Sequence, residues 1–149
     1  MRHPRRLSLL FFTGILAAGS TALGVYYFFV YEPPLAAAEA FMDAMAARDE
    51  KALRDLVLVT PDRDSTAVRP PMPEEIAGLL KEPFHRGRIL DQNRREGASR
   101  NYDYLVYREP DGSISALLVT QVAGDFKVVV PETPRNPQAP YLWDYDWTN

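Results

Sequence analysis

The sequence contains no cysteine and only two histidines. The absence of cysteine excludes disulfide bonds, thiol nucleophiles and the acyl anchor of a lipoprotein. His85 is the only histidine beyond the N-terminal tail, and no second histidine accompanies it as a metal ligand would require. The chain also lacks a Gly-x-Ser-x-Gly nucleophile motif and a phosphate-binding glycine loop. We therefore predict no catalytic residue, no metal site and no cofactor.

Charged residues are absent from one long stretch, Leu7 to Val30. A helix over this stretch would be roughly 36 Å long, and the hydrocarbon core of a bilayer is about 30 Å thick. The aromatic residues at its end are typical of a membrane interface. We predict a transmembrane helix over residues 7–31. A cleaved signal peptide ending near Ala22 is the alternative.

Basic residues precede this stretch and an acidic residue follows it. Arg2, Arg5 and Arg6 lie before it, whereas Glu32 lies after it. Because cytoplasmic segments carry the excess of lysine and arginine, residues 1–6 are predicted to be a cytoplasmic basic tail. The chain is then a single-pass protein of the cell inner membrane, with its C-terminal part outside the cytoplasm and the lipid bilayer as one partner.

The rest of the chain is acidic and large enough for one domain. After residue 6 there are 14 Lys and Arg against 20 Asp and Glu, a formal charge of −6. This charge argues against nucleic acid as a partner. We predict an extracytoplasmic α+β domain over residues 35–131, followed by a proline-rich aromatic tail over residues 132–149.

Helical spacing of apolar residues is found in the first half of this domain. Leu35 to Ala47 places alanine, phenylalanine and methionine side chains on one face, which predicts an amphipathic helix. Asp49 is a predicted N-cap for a second short helix, whose apolar face includes Leu53 and Val57. Glu74 to Lys81 predicts a third short helix, because acidic residues open it and a lysine ends it.

After Gly87 the apolar pattern changes to a period of two. Predicted strands cover residues 88–95, 102–109, 113–123 and 125–130, and the short turns between them require antiparallel neighbours. The predicted fold class is α+β: the N-terminal transmembrane helix, then two to three short helices packed on a curved antiparallel sheet of about four strands.

This order of elements resembles the nuclear transport factor 2-like superfamily, which has a cone-shaped α+β fold. The residues that carry the likeness are Ala38 to Val57, similar to the opening helix pair of the family, and Tyr102 to Pro131, similar to its closing meander. The resemblance implies either a pocket inside the cone or a non-catalytic domain. Membrane-anchored bacterial members of this superfamily imply an assembly or scaffolding role.

Four residues are candidates for a ligand-binding pocket of such a fold. Tyr102 and Tyr104 share one strand face, and Asp91 and His85 could supply a carboxylate and an imidazole for proton transfer. The other interpretation of the two tyrosines is that they are ordinary residues of the sheet.

The leading hypothesis is a non-catalytic domain for protein interaction or assembly, because both faces of the last strands are apolar. The helices cover one face, and the second face is predicted to bind a protein partner or to form a homodimer. The residues assigned to this interaction surface are Leu117, Val119, Val129, Trp143 and Trp147. The aromatic residues of the tail are themselves expected to lie on the domain's own second sheet face, and a partner protein or the nearby membrane surface is the alternative for them. A small-ligand-binding or enzymatic pocket protein is the alternative function.

Overall fold

A computed structural model describes residues 20–26, 32–61, 65, 67–81, 83–96, 101–134 and 136–144. The chain divides into two compact units, Met1–Pro33 and Pro34–Asn149. In the first unit, residues 20–26 are helical and form the described part of α1. The second unit includes the segment that was predicted to be a separate tail.

The predicted fold class is wrong in its N-terminal transmembrane helix. Among the described residues, no helix is long and apolar enough to cross a membrane. Residues 1–19 and 27–31, which hold the predicted basic tail and most of the predicted span, lie outside the described residues.

Three further helices carry the apolar side chains of one layer. They are α2 (Glu32–Ala47), α3 (Glu50–Leu56) and α4 (Pro73–Leu79). Asp49 caps α3, as predicted, because its carboxylate accepts a hydrogen bond of 3.0 Å from the Ala52 amide. Arg48 makes the turn between α2 and α3 with a φ of 54°.

The sheet forms the second layer and has six strands in the described part of the chain. These are β1 (Val57–Thr60), β2 (Arg88–Glu96), β3 (Asn101–Arg108), β4 (Ile114–Val122), β5 (Asp125–Pro131) and β6 (Trp143–Asp144). The strand order is β1-β5-β4-β3-β2, and β6 pairs with β4 where β5 diverges from it. All pairs are antiparallel except β1 with β5.

The sheet therefore contains two strands, β1 and β6, in addition to the predicted set of about four antiparallel strands. Residue Val57 had been assigned to the second helix, but the β-branched residues Val57, Val59 and Thr60 pair with β5 as a parallel strand. After β1 the chain continues through α4, β2, β3 and β4 before it reaches β5. Because the two paired strands are far apart in the chain, no local turn pattern predicts their pairing.

The main core lies between the helices and one face of the sheet. The helices contribute Phe41, Met42, Met45, Leu53 and Ile76, and the strands contribute Leu105, Tyr107, Leu117, Val119 and Val128. Tyr141 joins this core from the C-terminal segment, with its ring centroid 5.6 Å from that of Phe41 and 5.8 Å from that of Phe84. Each such side chain stabilises the fold by about 1.5–3 kcal/mol through burial.

A smaller cluster covers the opposite face of the sheet. It contains Tyr102, Tyr104, Ala116, Leu118 and Val129, and Trp143 packs against it. The indole Nε1 of Trp143 donates a hydrogen bond of 2.8 Å to the Val129 carbonyl oxygen. The chain's own tail therefore covers this part of the second face.

Gly87 lies where the segment before β2 passes the end of β3. Its amide donates a hydrogen bond to the Tyr107 hydroxyl, and a Cβ atom at this position would overlap the Arg108 carbonyl oxygen and the Tyr107 ring. We expect Gly87→Ala to lower the free energy of unfolding by at least about 2 kcal/mol, because the backbone of β3 would have to move. Urea unfolding measures this change.

Gly78→Ala is the matched control for this prediction. A Cβ atom at Gly78 meets no other atom within 4 Å, and the residue lies inside α4. We expect this variant to gain about 0.5–1 kcal/mol, since alanine loses less backbone entropy than glycine in a helix. Equal effects of the two alanine substitutions would contradict the assigned role of Gly87.

Candidate functional site

The space between the helices and the sheet is filled by side chains. Tyr107, Phe41, Met42 and Leu105 are among the largest fully buried residues of the described chain, and they occupy the region where a cone-shaped fold would hold its ligand. No group of three or more metal-ligating side chains lies close enough to hold an ion among the described residues. The interior is therefore a packed core in this part of the chain.

Tyr102 and Tyr104 lie on the face of the sheet that points away from the helices. Their rings are in edge contact, with centroids 6.5 Å apart, and both side chains are buried. The Tyr102 hydroxyl donates a hydrogen bond of 3.1 Å to the Ser65 carbonyl oxygen. The two tyrosines thus belong to the second cluster and do not line the interior.

The structure does not bring the four pocket candidates together. Asp91 is exposed in β2 at a bulge, and its Oδ1 accepts a hydrogen bond of 2.8 Å from the Gln92 amide. His85 is exposed in the segment before β2. His85 lies near the Arg108 end of β3 and Tyr102 lies at its other end, roughly 20 Å away at the rise of a strand.

The predicted interaction residues divide between the two faces of the sheet. Leu117 and Val119 face the helices and are completely buried in the main core, so the strand faces of β4 are the reverse of those predicted. Val129 and Trp143 do lie on the second face, but they contact each other within the chain. Trp147 lies outside the described residues.

An apolar groove that the sequence did not predict lies beside α4. We call it the proline-lined groove. Its volume is about 380 Å³ and it is lined by Val59, Glu75, Gly78, Leu79, Val130, Pro131, Glu132, Pro134, Pro137 and Pro140. The signal in the sequence is the recurrence of proline at every third position from residue 131 to 140. Composition alone indicates only a proline-rich segment there, which favours an extended backbone but predicts no groove.

Arg69 joins the two acidic residues at the rim of this groove. Its guanidinium donates two hydrogen bonds to the Glu75 carboxylate, of 2.8 and 2.7 Å, and one of 2.8 Å to Glu132 Oε1. The backbone of Arg69 also pairs with Val59, which covers the outer edge of β1. The arginine therefore connects α4, β1 and the start of the proline segment.

The ion pair between Arg69 and Glu75 shifts the pKa values of both groups. Hydrogen bonding to Arg69 holds the pKa of Glu75 below its ordinary value, and the same bonds raise the pKa of Arg69. A carboxylate with a lowered pKa is a poor general base, and the described residues that line the groove include no nucleophilic side chain. The arrangement suits binding of an apolar group, not chemistry on it.

The Glu75 interaction predicts a pH dependence of stability. Since the folded-state pKa of Glu75 is lowered, its contribution is present above the unfolded pKa of about 4.3 and is lost as the pH falls through the folded value. We expect Arg69→Ala to be less stable than the parent chain at neutral pH and the difference to shrink in acid. Urea unfolding at a series of pH values measures it. An undiminished difference in strong acid would contradict the assignment.

Trp143 gives a second prediction. Trp143→Ala should lower the free energy of unfolding by about 2 kcal/mol, because the half-buried indole covers Leu118 and Val129. Trp143→Phe keeps an aromatic ring but loses the hydrogen bond to Val129, so we expect a loss nearer about 1 kcal/mol. Urea unfolding of both variants checks this order. An alanine variant within about 0.5 kcal/mol of the parent would show that the indole is not needed.

Comparisons with known proteins found none that is similar to this chain. No protein-family model matches the chain, and no curated protein or solved structure is significantly similar to it. The resemblance to the nuclear transport factor 2-like superfamily therefore stays a prediction.

Proposed function

We propose that the unit Pro34–Asn149 is a non-catalytic interaction domain whose proline-lined groove receives a segment of a partner protein. The observation that carries this proposal is the contrast between two regions of the unit. The interior is filled by side chains such as Phe41 and Tyr107, whereas the groove is concave, largely apolar and open. An open apolar concavity is the usual form of a binding site.

The chemistry of the groove defines the partner segment. The walls are built from valine, leucine and proline, so they suit one large apolar side chain. Counted over the described residues, the rim carries Glu75 and Glu132 against Arg69, which leaves one net negative charge. We therefore propose an extended segment that has a large apolar residue beside a lysine or arginine.

The alternative function, a small-ligand-binding or enzymatic pocket inside the cone, has less support. Tyr102 and Tyr104 point away from the packed interior, and His85 and Asp91 are exposed at separate positions. A homodimer through the second sheet face also stays a prediction, although Trp143 already covers part of that face. The molar mass in solution, measured by light scattering, tests the dimer.

Localisation at the inner membrane, with this unit outside the cytoplasm and in contact with lipid, also stays a prediction. Most of residues 7–31, on which it depends, lie outside the described part of the chain. Membrane fractionation followed by protease treatment from the outer side tests it.

A groove-filling substitution tests the proposed function. Gly78 lines the groove, and a side chain attached there would enter open space. Peptides are selected from a random displayed library on the full-length protein and then tested on Gly78→Phe. We expect selected peptides to combine a large apolar residue with a basic one, and Gly78→Phe to weaken their binding at least about tenfold.

Two control variants separate groove occupancy from other effects. Ala77→Phe places the same side chain at an exposed neighbouring position that does not line the groove, and Gly78→Ala leaves most of the groove open. Both should bind the selected peptides as the parent does. The proposal would be overturned if the selected peptides bound Gly78→Phe with unchanged affinity. It would also be overturned if the selection enriched no peptide.

A further inference from the structure

A second cavity of about 190 Å³ lies at the end of the sheet where β3 turns into β4. We call it the polar pocket. Three separate segments of the chain contribute its polar lining: His85, Glu109, Asp111, Asn136, Gln138 and Tyr141. Pro83, Pro110 and Ala139 complete its walls. Polar groups that converge from three segments on one small cavity are typical of a ligand site.

Tyr141 forms the buried base of the polar pocket, and the fully buried Tyr107 lies next to it. Tyr141 is only 5% exposed, and its hydroxyl is hydrogen-bonded to that of Tyr107. The Tyr107 hydroxyl in turn accepts a hydrogen bond from the Gly87 amide. Burial raises the pKa of Tyr141 and of Tyr107, and the negative charge of Glu109 raises both further. Both phenols are therefore neutral, so the base of the pocket presents an aromatic ring and no charge.

Each of the two carboxylates of the pocket has a second oxygen that accepts no hydrogen bond from the described residues. Glu109 Oε1 accepts a hydrogen bond from the Ser115 hydroxyl, and Asp111 Oδ1 accepts bonds of 2.8 and 2.6 Å from the amide and hydroxyl of Ser113. These bonds lower the pKa of Asp111. Among the described residues, neither carboxylate has an ion-pair partner, because the neighbouring Arg86 is held by Glu39 and Asp43.

The lining residues and the volume of the pocket indicate what kind of cation would fit in it. No group of three or more acidic, histidine or cysteine side chains that could hold a metal ion is found among the described residues. A volume of about 190 Å³ is roughly that of six water molecules in the liquid. A ligand of about five non-hydrogen atoms therefore fits.

We propose that the polar pocket binds a small protonated primary amine. The ammonium group donates hydrogen bonds to the second oxygens of Glu109 and Asp111, and the alkyl part lies against Pro83, Pro110 and the Tyr141 ring. This activity is separate from the proline-lined groove and does not depend on the function proposed for it.

The probe for this site is the n-butylammonium ion, with n-butanol as its uncharged counterpart. The amide resonances of Gly87 and Gly112 report on the pocket, because Gly87 bonds to Tyr107 and Gly112 follows Asp111. In titrations of the full-length protein, n-butylammonium should shift both resonances saturably, with a Kd of about 1–10 mM. n-Butanol should shift them much less.

Two variants, one double and one single, decide between specific binding and a general charge effect. Glu109→Gln combined with Asp111→Asn removes both charges and keeps the side-chain shapes, and asparagine preserves the turn at residue 111. We expect this variant to weaken n-butylammonium binding at least about tenfold. Asp125→Asn, an exposed carboxylate at the β4–β5 turn, should bind as the parent does.

The proposal fails under any of three results. Equal shifts with n-butanol would mean that the pocket does not recognise charge, and an unchanged Kd in the double variant would mean that the carboxylates are not involved. Shifts that do not saturate up to about 50 mM would mean that no site exists. An unchanged amide spectrum away from the pocket shows that the double variant is folded.

Discussion

The packing of Tyr141 against Phe41 and Phe84 is the contact on which the described structure of this domain depends. It returns the end of the chain to the main core after the proline segment has left the sheet at Pro131. The next residues continue to the opposite face, where Trp143 covers the second cluster. Because the segment is fixed at both ends, it closes one wall of the proline-lined groove and one wall of the polar pocket.

Both cavities therefore lie at the margins of a packed core and not inside it. The region that a cone-shaped enzyme would use is occupied by large apolar side chains, which stabilise the fold and exclude a ligand. The groove and the pocket differ in character because different elements supply their side chains. Strand ends and α4 give the groove valine and leucine walls, whereas loops give the pocket carboxylates, amides and an imidazole.

Surface charge pairs connect elements that also meet in the main core. Arg69 links β1, α4 and the proline segment, and Arg86 links the segment before β2 to Glu39 and Asp43 of α2. These groups are substantially exposed, so such pairs contribute little to the free energy of unfolding. These pairs instead fix the positions of the charged groups: Arg69 holds the rim of the groove, and Arg86 is paired with Glu39 and Asp43 of α2.

The sequence by itself determined the local elements, because helical and strand periodicity and capping depend on neighbours along the chain. Examples are α2, the N-cap Asp49 and the four long strands. The tertiary structure alone decided which face of β4 is interior, since Leu117 and Leu118 are equally apolar and only the position of the helices distinguishes them. It also decided the parallel pairing of Val57–Thr60 with β5 and the convergence of three segments on the polar pocket. These features join residues that are distant in the chain, and no local pattern encodes such contacts.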